Sequence, residues 1–429
     1  MDITLAEKDC YEIASKADWQ AFCALVEDGQ NAIDAKMTKD VDLGSEIMMV
    51  GTSSNPYAGT FDGQNHTLTL NWNTGDRNDI APFRNVKDAT IKNLHTEGTI
   101  TSSSYFLAGL IDEARGTNTI SGCASNVNIK STYASDRCGV GGLISYIYSG
   151  ANVAISDCLV KGNINAKEAG RKGMGGFVYG QNGTCTLTNC LYVGTNNAEN
   201  NGDRTNTFAH NATLNNCHYL KPCGNAQGEQ VTVEQLKSGE MTHKLQGTRE
   251  ETVWGQTLGT DTIPQLTAEA AKHVYEVKFT LNNEVKATRY ANSGQTVSLP
   301  TVQELLGADY APNITYALSS ASSTVTSNTT VVANVVFKDI SIATKEDWRA
   351  FGDLVLSGEG KLNAKLTADL NLGTEILKIG SESTSYSGTF DGQGHTITID
   401  WNGYGGGYFA LFPFVTDATI KNLRVSGQM

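Results

Sequence analysis

Along most of the 429-residue chain, apolar and polar positions alternate in short runs that end at Gly, Asn, Asp or Ser. A period of two, interrupted every few residues, predicts strands joined by tight turns. The runs are themselves periodic. An apolar residue, two small or polar residues and a second apolar position recur as Ile91-Lys-Asn-Leu94, Ile120-Ser-Gly-Cys123, Ile155-Ser-Asp-Cys158, Leu187-Thr-Asn-Cys190 and Leu214-Asn-Asn-Cys217, each start 27 to 35 residues after the last. Glycine-rich strands, Gly139-Val-Gly-Gly-Leu-Ile144 and Gly173-Met-Gly-Gly-Phe-Val178, stand ahead of two of these units. A period near 30 without helical periodicity predicts a solenoid. Each turn then adds one strand to each parallel sheet, about 4.8 Å above the last.

Equivalent residues of such a solenoid stack in columns. Cys123, Cys158, Cys190 and Cys217 form one inward column with Leu94 ahead of them. Buried free thiols are the expected state, since stacked parallel side chains point their Cβ atoms alike; disulfides between neighbouring rungs are the alternative. Cys10, Cys23, Cys138, Cys185 and Cys223 fall outside the column, and the total of nine leaves at least one thiol unpaired within the chain. The residue before the column is Asn93, Gly122, Asp157, Asn189 or Asn216. These types tolerate left-handed backbone, so the position is expected to be a turn device.

A second repetition works at long range. Ala14 to Gly98 returns as Ala343 to Gly427 at a constant offset of 329, including Tyr57 to His66 as Tyr386 to His395. Each copy opens with an amphipathic run, Ser15 to Gly29 and Thr344 to Gly358, that predicts a capped helix covering an open solenoid end. Between the copies, Val274-Phe279, Thr296-Leu299, Asn313-Tyr316 and Val331-Phe337 read as strands without the rung period, and Val233 to Ser238 as a helix in a segment that closes the first solenoid. The expected organisation is residues 1–272 as a solenoid with capping helix and closing segment, 273–338 as a small β domain, and 339–429 as the opening of a second solenoid in a piece of a longer protein.

Composition narrows the partners. With 44 Gly and 7 Pro the chain suits strands and turns, and its net charge of -13 disfavours nucleic acid and anionic lipid. No run approaches the roughly 20 apolar residues that cross a bilayer, so no membrane insertion is expected.

The sharpest candidate for chemistry is a row of arginines. Arg77, Arg137 and Arg171 each lie six residues before an apolar strand residue, Phe83, Leu143 and Phe177; Asp76 and Asp136 precede two of them, and Arg204 is a looser fourth. Stacked guanidiniums suit the carboxylates of an acidic polysaccharide or an extended peptide, whereas the plainer reading is solvated Asp-Arg turns. Asp40, Asp42 and Glu46 are the one local acid cluster, expected to form a turn and not a calcium cage. Asp62 and His66 recur as Asp391 and His395, which favours structure over acid-base catalysis. Tyr105, Phe106, Tyr133, Tyr146, Tyr148, Tyr179 and Tyr192 are concentrated in the solenoid, where exposed rings could stack on sugars. No spacing fits zinc or nucleotide, so no metal, cofactor or catalytic residue is expected.

The units Gly173 to Cys190 and Gly139 to Cys158 resemble the GLUG motif of bacterial surface proteins. Tyr57 to His66 and its copy look like the Gly-Thr-Phe-Asp-Gly-x-Gly-His opening that precedes it, and Ser238-Gly-Glu-Met241, Leu245-Gln-Gly247 and Trp254 to Pro264 are similar to its closing segment, often found in gut Bacteroidetes. The middle region resembles the β-sandwich or β-grasp spacers of surface arrays. The resemblance implies an all-β, secreted or surface-attached protein with right-handed parallel β-helices and no transferable catalytic residues. Combined with the residues themselves, it leads to the expectation of a non-enzymatic, adhesin-like protein that binds glycan or a host or bacterial surface protein along its rungs. A polysaccharide lyase or glycoside hydrolase, and a purely structural stalk, are the alternatives.

Overall fold

In a computed structural model, residues 10–135, 138–199, 205–319, 324–402 and 407–429 are described. The chain divides into two compact units, residues 1–276 with 290–295, and 277–289 with 296–429.

The first unit is built from parallel sheets to which successive passes of the chain contribute one strand each. One sheet of eight strands runs in chain order from Tyr11–Ile13 through Ala35–Met37, Thr60–Asp62, Thr90–Lys92, Thr117–Ser121, Asn152–Ser156 and Thr184–Thr188 to Thr213–Asn215. A second holds Thr67–Asn73, His95–Ser102 and Ala124–Ser131 among its strands, and a third holds Phe83–Lys87, Ile111–Arg115, Ile144–Ile147 and Val178–Gln181. The register stacks Phe61, Ile91, Ile120, Ile155, Leu187 and Leu214 in one row, all but the last fully inside. This row is the apolar position of the sequence repeat, and it forms the core because alternate strand residues must point inward.

The four column cysteines are buried beside it and unbridged; all nine cysteines are free. Their thiols lie against carbonyls, Cys217 Sγ at 3.4 Å from Leu187 O on the previous pass. The preceding residues turn the corner with φ of 52° at Asn93, 62° at Gly122, 50° at Asp157, 53° at Asn189 and 51° at Asn216, the left-handed conformation that Asn, Asp and Gly accept at least cost.

The opening helix spans Lys16–Glu27, capped by the Ser15 side chain, and buries Trp19, Phe22 and Val26 against Phe61 and Phe83. The closing segment folds as helices Val233–Ser238 and Glu240–Gln246 plus a two-stranded hairpin at Trp254 and Leu266. Its apolar residues Leu236, Met241, Leu245 and Trp254 pack with Ala124, Leu159 and Leu191. Those three are one row of the second sheet, so the segment covers the flank of the stack as well as following its last strand.

In the second unit, Ile314–Ser319 pairs antiparallel with Asn334–Ile342. The far half of that long strand, Asp339–Ile342, pairs in parallel with Asn363–Leu366, which begins the repeated stack. One continuous strand therefore joins the irregular β region to the copy, and Ile314 shares a core with Trp348, Phe351 and Phe390. The copied helix, Lys345–Leu356, carries a full capping box at Thr344 and Asp347. Even a forced glycine recurs. A Cβ at Gly98 would lie 1.9 Å from Leu70 O, and one at Gly427 1.8 Å from Ile399 O.

Candidate functional site

The third sheet of the first unit carries the chemistry. Its strands place Phe83, Ile111, Ile144 and Val178 in one row, and the residues after the last three, Asp112, Ser145 and Tyr179, are buried as well. On the strand Ile111–Arg115, Asp112 is fully buried and Glu113 half-buried, and Asp79 reaches them from the corner before Ile80. One carboxylate oxygen from each of Asp79, Asp112 and Glu113 lies within 4.8 Å of the other two.

The three acids are treated differently by their surroundings. Glu113 Oε2 accepts from Asn85 Nδ2 at 2.7 Å and Arg115 Nη2 at 3.2 Å, and Glu113 Oε1 accepts from Tyr148 OH at 2.6 Å. Asp79 Oδ2 accepts from Arg84 Nη2 at 3.4 Å, yet burial still holds its carboxyl above the usual range. Asp112 is 0% exposed, and neither of its oxygens has a hydrogen-bond partner among the described residues. Burial, then the charges of Asp79 and Glu113, push its carboxyl well above the ordinary value. Tyr148 is pushed up to about 12 by burial and by its bond to Glu113, and the Arg115 guanidinium lies 3.8 Å over its ring.

An aromatic cluster adjoins the acids. Phe106 packs on Tyr105 at 5.0 Å and on Tyr146 at 5.7 Å, Tyr105 on Tyr133 at 5.4 Å, and Tyr146 on Tyr148 at 5.1 Å. These five rings are half-buried, whereas Tyr179 and Tyr192 are inside. On the other side of Asp79, Arg84 and Arg77 line a cleft of about 570 Å³ together with Gln20, Met48, Met49 and Thr52.

Arg77 is exposed, and its guanidinium has no hydrogen-bond or ion-pair partner among the described residues; the exposed Asp76 beside it does not pair with it. Arg171 donates to Glu168 at 3.1 Å. Asp136, Arg137 and Arg204 lie outside the described residues. The apolar landmark expected for the arginines shifts by one: Phe83 stands in the row of Ile144 and Val178, not of Leu143 and Phe177. The row that aligns Arg77 with Arg171 is instead Ile80, Leu107, Val140 and Met174, three residues after each arginine, with Ser104 in the rung after Arg77. The passes differ by one residue between these two rows, which moves the alignment.

The other candidates resolve into framework. His66 Nδ1 meets Asp40 Oδ1 at 3.1 Å and not Asp62, and the copy repeats this with His395 and Asp369 at 3.2 Å. Asp62 accepts from Gln64 N and Asn93 Nδ2, as Asp391 does from Gln393 N and Asn422 Nδ2. Asp42 accepts from Gly44 N and Glu46 pairs with Lys16, so the local acid cluster is spread over three separate contacts. The duplication thus sorts structure from site. In the copy the places of Asp79, Arg84 and Asn85 are taken by Tyr408, Pro413 and Phe414.

Asp112 and Glu113 belong to none of the expected candidates, although the repeat carries a signal for them. Gly109-Leu-Ile-Asp-Glu113 aligns with Gly142-Leu-Ile-Ser-Tyr146 and Gly176-Phe-Val-Tyr-Gly180, and only the first carries adjacent acids.

No family model and no curated protein matches the chain. Among solved structures it is similar to one from Bacteroides ovatus whose title assigns it provisionally as an immunoglobulin A1 protease, with a TM-score of 0.44 and 14% identity over 62% of this chain and 94% of that one. At that score the likeness carries no argument about function. Among the described residues, no helix is long and apolar enough to cross a membrane.

Proposed function

We propose that the chain is part of a secreted or surface-attached bacterial protein of the GLUG type, in which the first unit is a right-handed parallel β-helix that binds acidic glycans without cleaving them. The parallel order of the four-, eight- and nine-stranded sheets of the first unit supports the coil, and parallel crossovers are right-handed in nearly all proteins. One observation carries the ligand class. Arg77, without a side-chain partner among the described residues, and Arg84, bonded to Asp79 at 3.4 Å, line the same cleft as Met48 and Met49, with Glu27 as its one acid. Two guanidiniums in one cleft suit a carboxylate-bearing sugar, and the half-buried rings of Tyr105, Tyr133 and Tyr146 supply apolar faces farther along the stack.

The test is a glycan array that pairs uronate-containing or sialylated glycans with neutral analogues, probed with the whole chain. Binding restricted to the acidic members, weakened about tenfold or more by Arg77→Ala and by Arg84→Ala and reduced by salt, supports the reading. Preference for neutral sugars, or full binding by both variants, overturns it. A glycan-cleaving enzyme is the second reading, favoured by the convergence of Asp79 and Glu113 with Arg84 and Arg115. Appearance of new reducing ends or unsaturated uronates in the same incubations would establish it in place of the first.

A further inference from the structure

The geometry points to a site for a hard, calcium-like divalent cation in the first unit, coordinated by Asp79, Asp112 and Glu113. It stands independently of the glycan reading.

Asp112 is the starting point. A fully buried carboxylate whose two oxygens lack any donor is among the costliest arrangements a fold can hold, so something must engage it. The neighbouring side chains do so only weakly. Ser145 lies close enough to ease its ionisation, but its one hydroxyl proton is directed to Gly139 O at 3.0 Å; Arg84 is engaged by Asp79, and Arg115, Asn85 and Tyr148 are all directed to Glu113. The two guanidiniums therefore bond the outer acids, and the Arg84 charge reaches the central one without a hydrogen bond. Three carboxylates against two guanidiniums sum to -1 when all are ionised, which leaves room for one cation.

A proton on Asp112 would give one of its oxygens a donor function and leave the convergence of two further carboxylates without a cause. A metal ion accounts for both. Calcium binds oxygen at about 2.3–2.6 Å, so ligands on opposite sides of the ion are about 4.6–5.2 Å apart. One oxygen from each acid, the three within 4.8 Å of one another, fits inside that sphere. Asp112 can present both oxygens, Asp79 retains Oδ1, and Glu113 Oε1, which takes one bond from Tyr148, retains a lone pair. Backbone carbonyls or water would complete the six to eight ligands calcium accepts. The donor set is all oxygen, which disfavours zinc, and its flexible carboxylates suit calcium better than the strict octahedron of magnesium.

The experiment uses the whole chain after treatment with chelator, with Tb³⁺ as a luminescent calcium surrogate. Tyr148 hydrogen-bonds to Glu113, so a lanthanide held there is excited through tyrosine. The expected result is saturable emission that Ca²⁺ displaces more effectively than Mg²⁺, with affinity for Tb³⁺ reduced tenfold or more by Asp112→Asn and by Asp79→Asn. Tyr148→Phe should dim the emission while calorimetric Ca²⁺ affinity changes little. Asp79 has φ 60°, a conformation Asn also accepts, so Asp79→Asn keeps the corner and decides the matter should Asp112→Asn not fold. Absence of Ca²⁺-displaceable emission, or unaltered affinity in the Asp79 variant, overturns the site and leaves Asp112 as a protonated acid.

Discussion

Arg249 Nη1 donates to Asp157 Oδ1 at 2.8 Å, bridging 92 residues of chain. The same oxygen accepts from Trp254 Nε1 at 3.0 Å, so one corner residue fastens the closing segment to the flank of the stack. In the equivalent corners stand Asn93, Asn189 and Asn216, all left-handed like Asp157. Asp157→Asn therefore keeps the turn and an acceptor for Trp254 while removing the charge. The variant is expected to lose about 1–2 kcal/mol in urea unfolding, between an exposed ion pair and a buried charged hydrogen bond. Unchanged stability would mean that the clasp is held by packing of Trp254 alone.

The helix Lys16–Glu27 is anchored by Trp19, whose ring is buried and whose Nε1 donates to Met48 O at 3.1 Å. Trp19→Ala leaves a cavity next to Phe61 and Phe83 and should cost about 3–5 kcal/mol. Ser15→Ala removes only the helix cap and should cost about 1 kcal/mol. Far-ultraviolet circular dichroism against urea separates the two. Equal losses would place the helix outside the cooperative core.

His95 gives the stability a pH dependence with a definite sign. Its pKa is pushed down to about 4, mainly by burial and then by Lys161, and its Nε2 is buried without a partner. The unfolded chain takes up a proton near the ordinary value of about 6.5 and the folded one does not, so stability present above that pH falls as pH drops toward 4. The expected contribution is about 2–3 kcal/mol. It is read as the difference in urea midpoint between pH 7 and pH 4.5 for the natural chain and for His95→Gln, which should lose less on acidification. The copy has no such group, since Arg424 stands in its place.

The thiols should react in tiers. Cys10 is exposed, Cys23 is half-buried with its thiol pushed up to about 12 by burial, and the remaining cysteines are buried. A thiol reagent at neutral pH should therefore label Cys10 quickly, Cys23 slowly because the thiolate is the reacting form, and the column only after denaturant because burial keeps the reagent from it. Labelling of all nine in denaturant without reductant would agree with the unbridged column; fewer would show that neighbouring rungs had formed disulfides.

What the sequence determined by itself was the stacking. The apolar row from Ile91 to Leu214, the left-handed corner before the cysteine column and the two capped helices are dictated by local period, turn chemistry and burial, which each rung repeats and so states several times over. The duplication also marked Asp62 and His66 as framework, since the copy keeps them. Tertiary structure alone decided the register of the arginines, because a one-residue difference between passes is invisible until the strands pair. It alone brought Asp79 from a corner against Asp112 and Glu113 on the next rung, and set Arg84 beside Arg77 under the opening helix. Asp79 shares one pass with both arginines, Asp112 and Glu113 stand on the next, and contacts between non-repeated residues leave no period to read. Only the closing of the coil, which sets residues some thirty positions apart at neighbouring heights, makes a site of them.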